Sequence, residues 1–323
     1  MASAVTFGEA MLRLSPPGGL RLEQVRALET WPAGAELNVA VGLARLGTPA
    51  AWVSVLPHGP LGELVLAHAR SHGVDVGGVT RAEGRLGLYF VEHGRPPLPS
   101  RALYDRAGSA FTALDPATLD WPALLSGASA LHVTGITAAL GEACERAVAD
   151  ALSAARAAGC HTSYDLNLRT LLGPPEGWRR RLESVASTVG TLLLSLDDAA
   201  AVLGAGGEPE QVAARVRHEL GIERVLVSRR LPAQGGMRRE VAAADDGGTR
   251  TVSSPAFAGD EPIGAGDAFA AGFLHGLLTS GADRGLKLGA AMAAVKQAVP
   301  GDAPVIGPDD LELALAGDAR MRR

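Results

Sequence analysis

At 323 residues the chain is too long for one simple layer and short enough for a single large α/β domain with an appendage. Apolar residues make up 47 %, ordinary for a globular protein. The formal charge of −5 comes without a basic run or an aromatic-plus-basic stripe, which argues against a nucleic-acid partner.

Strand-like and helix-like segments alternate along the chain. "AVTFGEA" reads as a first strand, and "AELNVAVGLARLG" as a helix with Leu37, Val41 and Ala44 at helical spacing and Gly47 as its stop. "AAWVSVL" reads as a strand and "LGELVLAHARSHG" as a helix ending at Gly73. Strand "ALHVTG", helix "EACERAVADALSAARAAG", strands "HTSYDLN" and "TLLLS", helix "EQVAARVRHELG" and strand "RVLVS" follow. This rhythm predicts βαβ units and a mostly parallel sheet covered on both faces.

Two stretches interrupt it. Residues 11–33 and 84–112 are rich in Pro, Gly and Arg and carry short alternating runs, "LGLYFVEHG" and "RALYDRAG", that read as antiparallel strands. They are expected to form a small β lid beside a main domain built from residues 1–10, 34–83 and 113–323. A lid there would close over the carboxyl ends of the parallel strands, where α/β proteins bind ligands.

Cys144 and Cys160 make neither a disulfide framework nor a metal-ligand pair, and point to a reducing compartment. The N-terminus lacks a basic segment followed by an apolar core, and the apolar windows are short and interrupted. A cytoplasmic protein without a membrane partner is the expectation. The eight histidines are scattered, show no ligand spacing in this reading, and count as core or surface residues.

The stretch "GDEPIGAGDAFAAGF" turns from glycines and carboxylates directly into an apolar helix. Gly264 and Gly266 allow a tight turn that would leave the amides of Ala265, Gly266 and Asp267 at a helix N-terminus, an anion site. Asp267 there is either a favourable charge on the helix dipole or a general base beside a phosphoryl group. Neither G-x-x-x-x-G-K-[ST] nor an early G-x-G-x-x-G occurs, which argues against a Walker NTPase and a Rossmann dehydrogenase.

With "EPIGAGD" late and "AGAELNVA" early, the chain resembles the ribokinase-like (PfkB) carbohydrate kinases, over essentially its whole length. Within that family it looks most like the 2-keto-3-deoxygluconate kinases, through "LGLYF", "LYDRAGSA", "HVTGITAAL", "YDLNLR" and "AAVKQAVPGD". The resemblance implies a three-layer α/β/α domain with a small β-sheet lid. It also implies ATP and Mg²⁺ as cofactors and phosphoryl transfer to a hydroxyl of a keto-deoxy sugar acid. Asp267 would take the proton, and Gly264, Ala265 and Gly266 would hold the phosphoryl oxygens. Gly34, Asn38, Tyr89, Tyr104, Arg106, Ile136, Asn167 and Arg169 would bind the acid, its carboxylate meeting Arg106 and Arg169. Pairing of lids would give a homo-oligomer.

Several positions depart from the family pattern. Glu261 stands for Asp, Ala33 for Gly, and the "N-x-x-E" that orders magnesium and phosphate becomes "SLDD", with Ser195 and Asp198 in those places. Asp198 keeps an indirect tie to the metal. The nucleotide-side "K-x-G-x-x-G" is the most altered: Ser228 and Arg230 replace Lys and Gly, with Arg229 or Arg230 as a substitute cation. Two alternatives stand beside the sugar-acid kinase: a kinase for a neutral sugar such as fructose or ribose, and a catalytically weak sugar-acid-binding homologue.

Overall fold

The computed structural model describes residues 3–94, 97–258 and 263–317. In chain order the strands are β1 (Ala4–Phe7), β2 (Met11–Ser15), β3 (Glu29–Ala33), β4 (Ala50–Pro57), β5 (Val79–Ala82), β6 (Gly87–Glu92) and β7 (Arg101–Asp105). Then come β8 (Ala130–Thr134), β9 (His161–Asp165), β10 (Thr191–Ser195), β11 (Arg224–Ala233), β12 (Gly236–Asp245) and β13 (Gly248–Ser253). The helices are α1 (Ala35–Arg45), α2 (Pro60–Ser71), α3 (Trp121–Leu124), α4 (Gly135–Ala138), α5 (Glu142–Ala157) and α6 (Pro175–Val185). They continue with α7 (Leu196–Leu203), α8 (Pro209–Leu220), α9 (Ala265–Ser280), α10 (Ala282–Lys296) and α11 (Pro308–Leu315).

Among the described residues a nine-stranded sheet runs β13-β12-β11-β10-β9-β8-β1-β4-β5. It is parallel from β5 to β11, and β12 and β13 add an antiparallel edge. Successive residues of its strands feed opposite cores. Leu192 and Leu194 pack with α5, α6 and α8, whereas Leu193 packs with α1, α9 and α10. Each fully buried leucine of this kind contributes roughly 1.5–3 kcal/mol through its apolar surface. The result is the three-layer α/β/α arrangement that alternation predicts.

The small sheet has the order β3-β2-β6-β7. Its outer pairs are antiparallel, and β2 runs parallel to β6 in the middle. Met11, Ala33, Tyr89 and Val91 form its own apolar cluster on the side that faces the main sheet's crevice.

One segment differs from the sequence reading. "VSRRLPAQGGMRRE" is not a nucleotide loop: β11 continues to Ala233 and returns as β12. Ser228 pairs with Ser195 on one side and Val241 on the other, and Arg230 lies opposite Arg239. The glycines Gly235 and Gly236, both at positive φ, make the turn at the far end of a long hairpin.

No helix among the described residues is long and apolar enough to cross a membrane.

Candidate active site

In the main sheet β1 has β4 on one side and β8 on the other, so the chain reverses its winding direction there. Crevices at the carboxyl ends of strands beside such a point are where open α/β sheets bind ligands. Two adjoining cavities lie there. The larger, about 400 Å³, is walled by the small sheet through Tyr89 and Tyr104 and by α4 through Ile136. Gly34, Asn38 and Arg106 also line it, and α9 enters it with Gly264, Gly266 and Asp267. The smaller, about 230 Å³, is lined by Asp165, Ser195, Asp198, Ser228, Arg239 and Phe269. Asn167, Arg169 and Gly266 line both and mark their junction.

Helix α9 begins at Gly264, which sits at φ 77° with no room for a side chain: a Cβ would stand 2.0 Å from the Asp302 carbonyl oxygen. Ala268 N–H is the first amide to donate back along the helix, to Gly264 at 2.8 Å. The amides of Ala265, Gly266 and Asp267 therefore precede the intrahelical ladder and are available to an anion. Asp267 is buried, and its Oδ2 accepts from Asn38 Nδ2 at 2.7 Å. Burial pushes its carboxyl up to about 6, against the Asn38 bond and the Arg169 charge, which pull it down. Asn38 thus orients Asp267, while its Oδ1 is buried without a partner among the described residues. Glu261, the upstream departure from the family motif, lies outside the described residues.

Gly34 caps α1 at the cavity wall, and a Cβ there would approach the Glu9 carbonyl oxygen to 2.4 Å. Its neighbour Ala33 is buried in the small sheet's cluster, so the departure from Gly at that position is accommodated by packing.

Several partners were not visible in the sequence. Arg106 donates from Nε to Glu9 Oε2 at 3.0 Å and also from Nη2, while Ser109 Oγ donates to Glu9 Oε1 at 2.5 Å. Tyr89 is not a free donor: its hydroxyl donates to Asp302, which also pairs with Arg13 at 3.2 Å. Burial and the Asp302 charge hold the Tyr89 phenol well above its usual acidity range. Tyr89 and Tyr104 stack at 5.5 Å and together make a flat wall.

Glu36, one turn before the α1 core, is buried among hydroxyls. Its Oε1 accepts from Thr134 N at 3.0 Å, Thr134 Oγ1 at 2.7 Å and Thr137 Oγ1 at 2.6 Å. Burial raises its carboxyl to about 7, with the Asp267 charge adding and the threonine bonds opposing. These bonds fix the start of α4 and hence Ile136. A charged residue inside an otherwise apolar helix face was the signal that could have revealed it.

In the smaller cavity Asp165 is raised to about 8 by burial, with Asp267 and Asp198 adding. Asn167 follows at φ 46°, the one non-glycine residue at positive φ among the described residues. Asn tolerates that conformation, and its place at the cavity junction is where strained backbone commonly serves a site. Ser195 and Asp198 cap α7 reciprocally, the hydroxyl accepting from Asp198 N at 3.0 Å, which points the "SLDD" carboxylate to the cavity wall. Arg169 is exposed at the junction.

The candidate cations of the nucleotide side need correction. Arg229 is bound to Glu208 at 2.8 Å and Glu240 at 2.7 Å, and Arg230 is exposed and lines neither cavity. Arg239 reaches the cavity instead. Contrary to the expectation that no histidines share a ligand spacing, His68 and His72 stand one turn apart on α2, with rings 4.8 Å apart. Burial lowers His68 to about 4, and no cluster of three metal-capable side chains occurs among the described residues.

Two cavities that meet at one helix N-terminus suit a donor and an acceptor facing each other across an anion, the layout of a small-molecule phosphotransferase. The chain belongs to the pfkB family of carbohydrate kinases, whose pattern it matches over residues 1–305. It is 40 % identical to a 2-dehydro-3-deoxygalactonokinase of Haloferax volcanii, across 100 % of this chain and 99 % of that one. It is 33 % identical to a 2-dehydro-3-deoxygluconokinase of Thermoproteus tenax, covering 94 % of this chain and 90 % of the other. The crystal structure of a 2-dehydro-3-deoxygluconokinase of Thermotoga maritima superposes with a TM-score of 0.89 at 31 % identity, covering 98 % and 99 % of the two chains.

Proposed function

We propose that this carbohydrate kinase transfers the γ-phosphoryl group of ATP to a hydroxyl of a 2-keto-3-deoxy sugar acid, with 2-keto-3-deoxygluconate as the first substrate. The observation that carries the reading is the larger cavity itself. It places a buried carboxylate and three unladdered amides at one end and an arginine with two stacked tyrosines at the other. A sugar acid fits that polarity: its carboxylate lies toward Arg106 and its far hydroxyl toward Asp267, while Arg169, at the junction where its charge acts on Asp267, stands nearer the reacting end. The galactonate-derived epimer is a second reading, favoured by the 40 % identical relative. For a neutral sugar Arg106 would have no carboxylate to meet.

In the step itself the hydroxyl oxygen attacks the γ-phosphorus as the bond to the ADP oxygen breaks. The hydroxyl proton passes to Asp267, leaving ADP and a phosphate monoester. The amides of Ala265, Gly266 and Asp267 hold the phosphoryl oxygens as charge gathers on them. Asn38 keeps the receiving oxygen of Asp267 in place. Asp267 at about 6 is ionised at neutral pH and more basic than an exposed aspartate, which suits a late proton transfer.

Mg²⁺ would be held by one or two carboxylates plus nucleotide phosphates and water, and would supply charge neutralisation there. Asp198 and Asp165 on the smaller cavity fit that modest donor set. The small sheet acts as the lid and as the oligomer contact. Support for the contact is the outer strand β7, where Leu103 is 55 % exposed, and sedimentation of Leu103→Asp against wild type tests it.

The deciding experiment is a coupled ADP-release assay with Mg-ATP and a panel of 2-keto-3-deoxygluconate, its galactonate epimer, fructose and ribose. Turnover of the keto-deoxy acids well above the neutral sugars is expected. Preference for fructose or ribose, or no turnover with any, would overturn the reading.

A further inference from the structure

The altered nucleotide-side segment removes the lysine that the family pattern places at Ser228, and the sequence offered Arg229 or Arg230 as replacements. The hairpin decides against both. Arg229 is neutralised by Glu208 and Glu240, and Arg230 is directed to solvent.

Strand pairing brings a different cation to the same place. Arg239 lies on β12 directly opposite Arg230 and diagonal to Ser228, two positions away along the partner strand. On an antiparallel ladder such a diagonal neighbour is within reach of a long side chain. Its Nη1 donates to Ser228 Oγ at 3.1 Å, and the side chain lines the smaller cavity beside Asp165, Ser195 and Asp198. Its backbone is fixed on the other side: Arg239 N–H donates to Ser254 Oγ at 2.9 Å, and Ser254 N–H donates back to the Arg239 carbonyl at 2.8 Å.

Among the described residues the half-buried guanidinium makes no ion pair within bridging distance, although arginines drawn into protein interiors are ordinarily paired. Its surroundings resist the charge. Burial lowers the guanidinium to about 10, with the facing Arg230 adding to the effect and Asp165 opposing it. A largely desolvated cation that donates to a serine hydroxyl on the wall of a cavity of about 230 Å³ is placed to meet an anion there. Arg169, the other cation at the cavity wall, is shared with the larger cavity, whereas Arg239 lines the smaller one alone.

We propose that Arg239 is the phosphate-binding cation of the nucleotide cavity, reaching across the hairpin to occupy the place vacated at Ser228. The inference rests on the ATP reading above. It adds that a planar fork supplied from β12, not a lysine at the end of β11, grips the polyphosphate, and Ser228 serves to orient it.

The test is isothermal titration of wild type, Arg239→Met and Arg239→Lys with three probes: Mg-adenylyl imidodiphosphate, adenosine and 2-keto-3-deoxygluconate. Arg239→Met should bind the triphosphate analogue about 10–100-fold more weakly, because a desolvated charge-assisted contact is lost. Arg239→Lys should recover part of that loss. Adenosine and sugar-acid affinities should stay within about twofold of wild type, since neither probe carries the polyphosphate. Unchanged analogue binding in Arg239→Met, or equal weakening for all three probes, would overturn the assignment. Wild-type protein that fails to bind the analogue would defeat the kinase reading itself, which is a different outcome from a wild type that binds and a variant that binds equally well.

Discussion

Arg106 is anchored to Glu9: the guanidinium at the end of β7 donates twice to a carboxylate that is buried just beyond β1. The pair ties the small sheet to the main sheet at the mouth of the larger cavity. It also engages one edge of the guanidinium, Nε and Nη2, of a residue that lines the cavity. In the proposed reading the substrate carboxylate would meet an arginine already held in place.

That arrangement separates binding from stability. Arg106→Ala should raise the KM for the sugar acid by about 10–100-fold and lower the Tm, because Glu9 is left buried without its charge partner. The double variant Glu9→Gln/Arg106→Ala should regain most of the Tm and none of the affinity. Thermal unfolding and steady-state kinetics on the same preparations check this. Recovery of both in the double variant would make Arg106 a structural residue only.

The pH dependence of kcat/KM should show an acid limb near 6, where Asp267 titrates. Below that value the carboxyl is protonated and cannot accept the hydroxyl proton, so the rate should fall about tenfold per pH unit. An acid limb below about 4.5, the range of an exposed aspartate, would remove burial of Asp267 from the mechanism.

Glu36 predicts a stability effect of defined sign. Its folded acidity is raised from 4.5 to about 7, so the folded chain favours the protonated form. The associated stability is fully present below the unfolded value and is lost as pH rises through the folded one. The unliganded Tm should therefore decline between about pH 5 and about pH 8, and Glu36→Gln should flatten that decline while keeping the Oε1 acceptor for Thr134 and Thr137. An identical decline in both proteins would contradict the assignment.

Much of this was legible in the sequence because it is local. The apolar periods of α1, α5 and α8 and the glycines at Gly264 and Gly266 depend on neighbours within a turn or two. The cavity also gathers Gly34, Asn38, Tyr89, Tyr104, Arg106, Ile136, Asn167 and Arg169, positions picked from short motifs. What escaped notice is pairing at a distance. Glu9 meets Arg106 across 97 positions, Glu36 meets Thr134 across 98, and Tyr89 meets Asp302 across 213. No local period encodes such contacts; the strand order of the sheet does. Arg239 was hidden for another reason. Its segment follows the altered nucleotide-side motif, although "DDGG" at 245–248 is a hairpin signal, and only the β11–β12 register brings Arg239 diagonal to Ser228.

Asp267, whose buried carboxylate accepts from Asn38 in the first turn of α9, is the proposed base. The most direct measurement is single-turnover phosphoryl transfer by Asp267→Asn with Mg-ATP and 2-keto-3-deoxygluconate, alongside calorimetric binding of the acid. A rate lowered by about 10²–10⁴-fold with acid affinity nearly unchanged is the predicted result. Near-normal turnover in Asp267→Asn would contradict it.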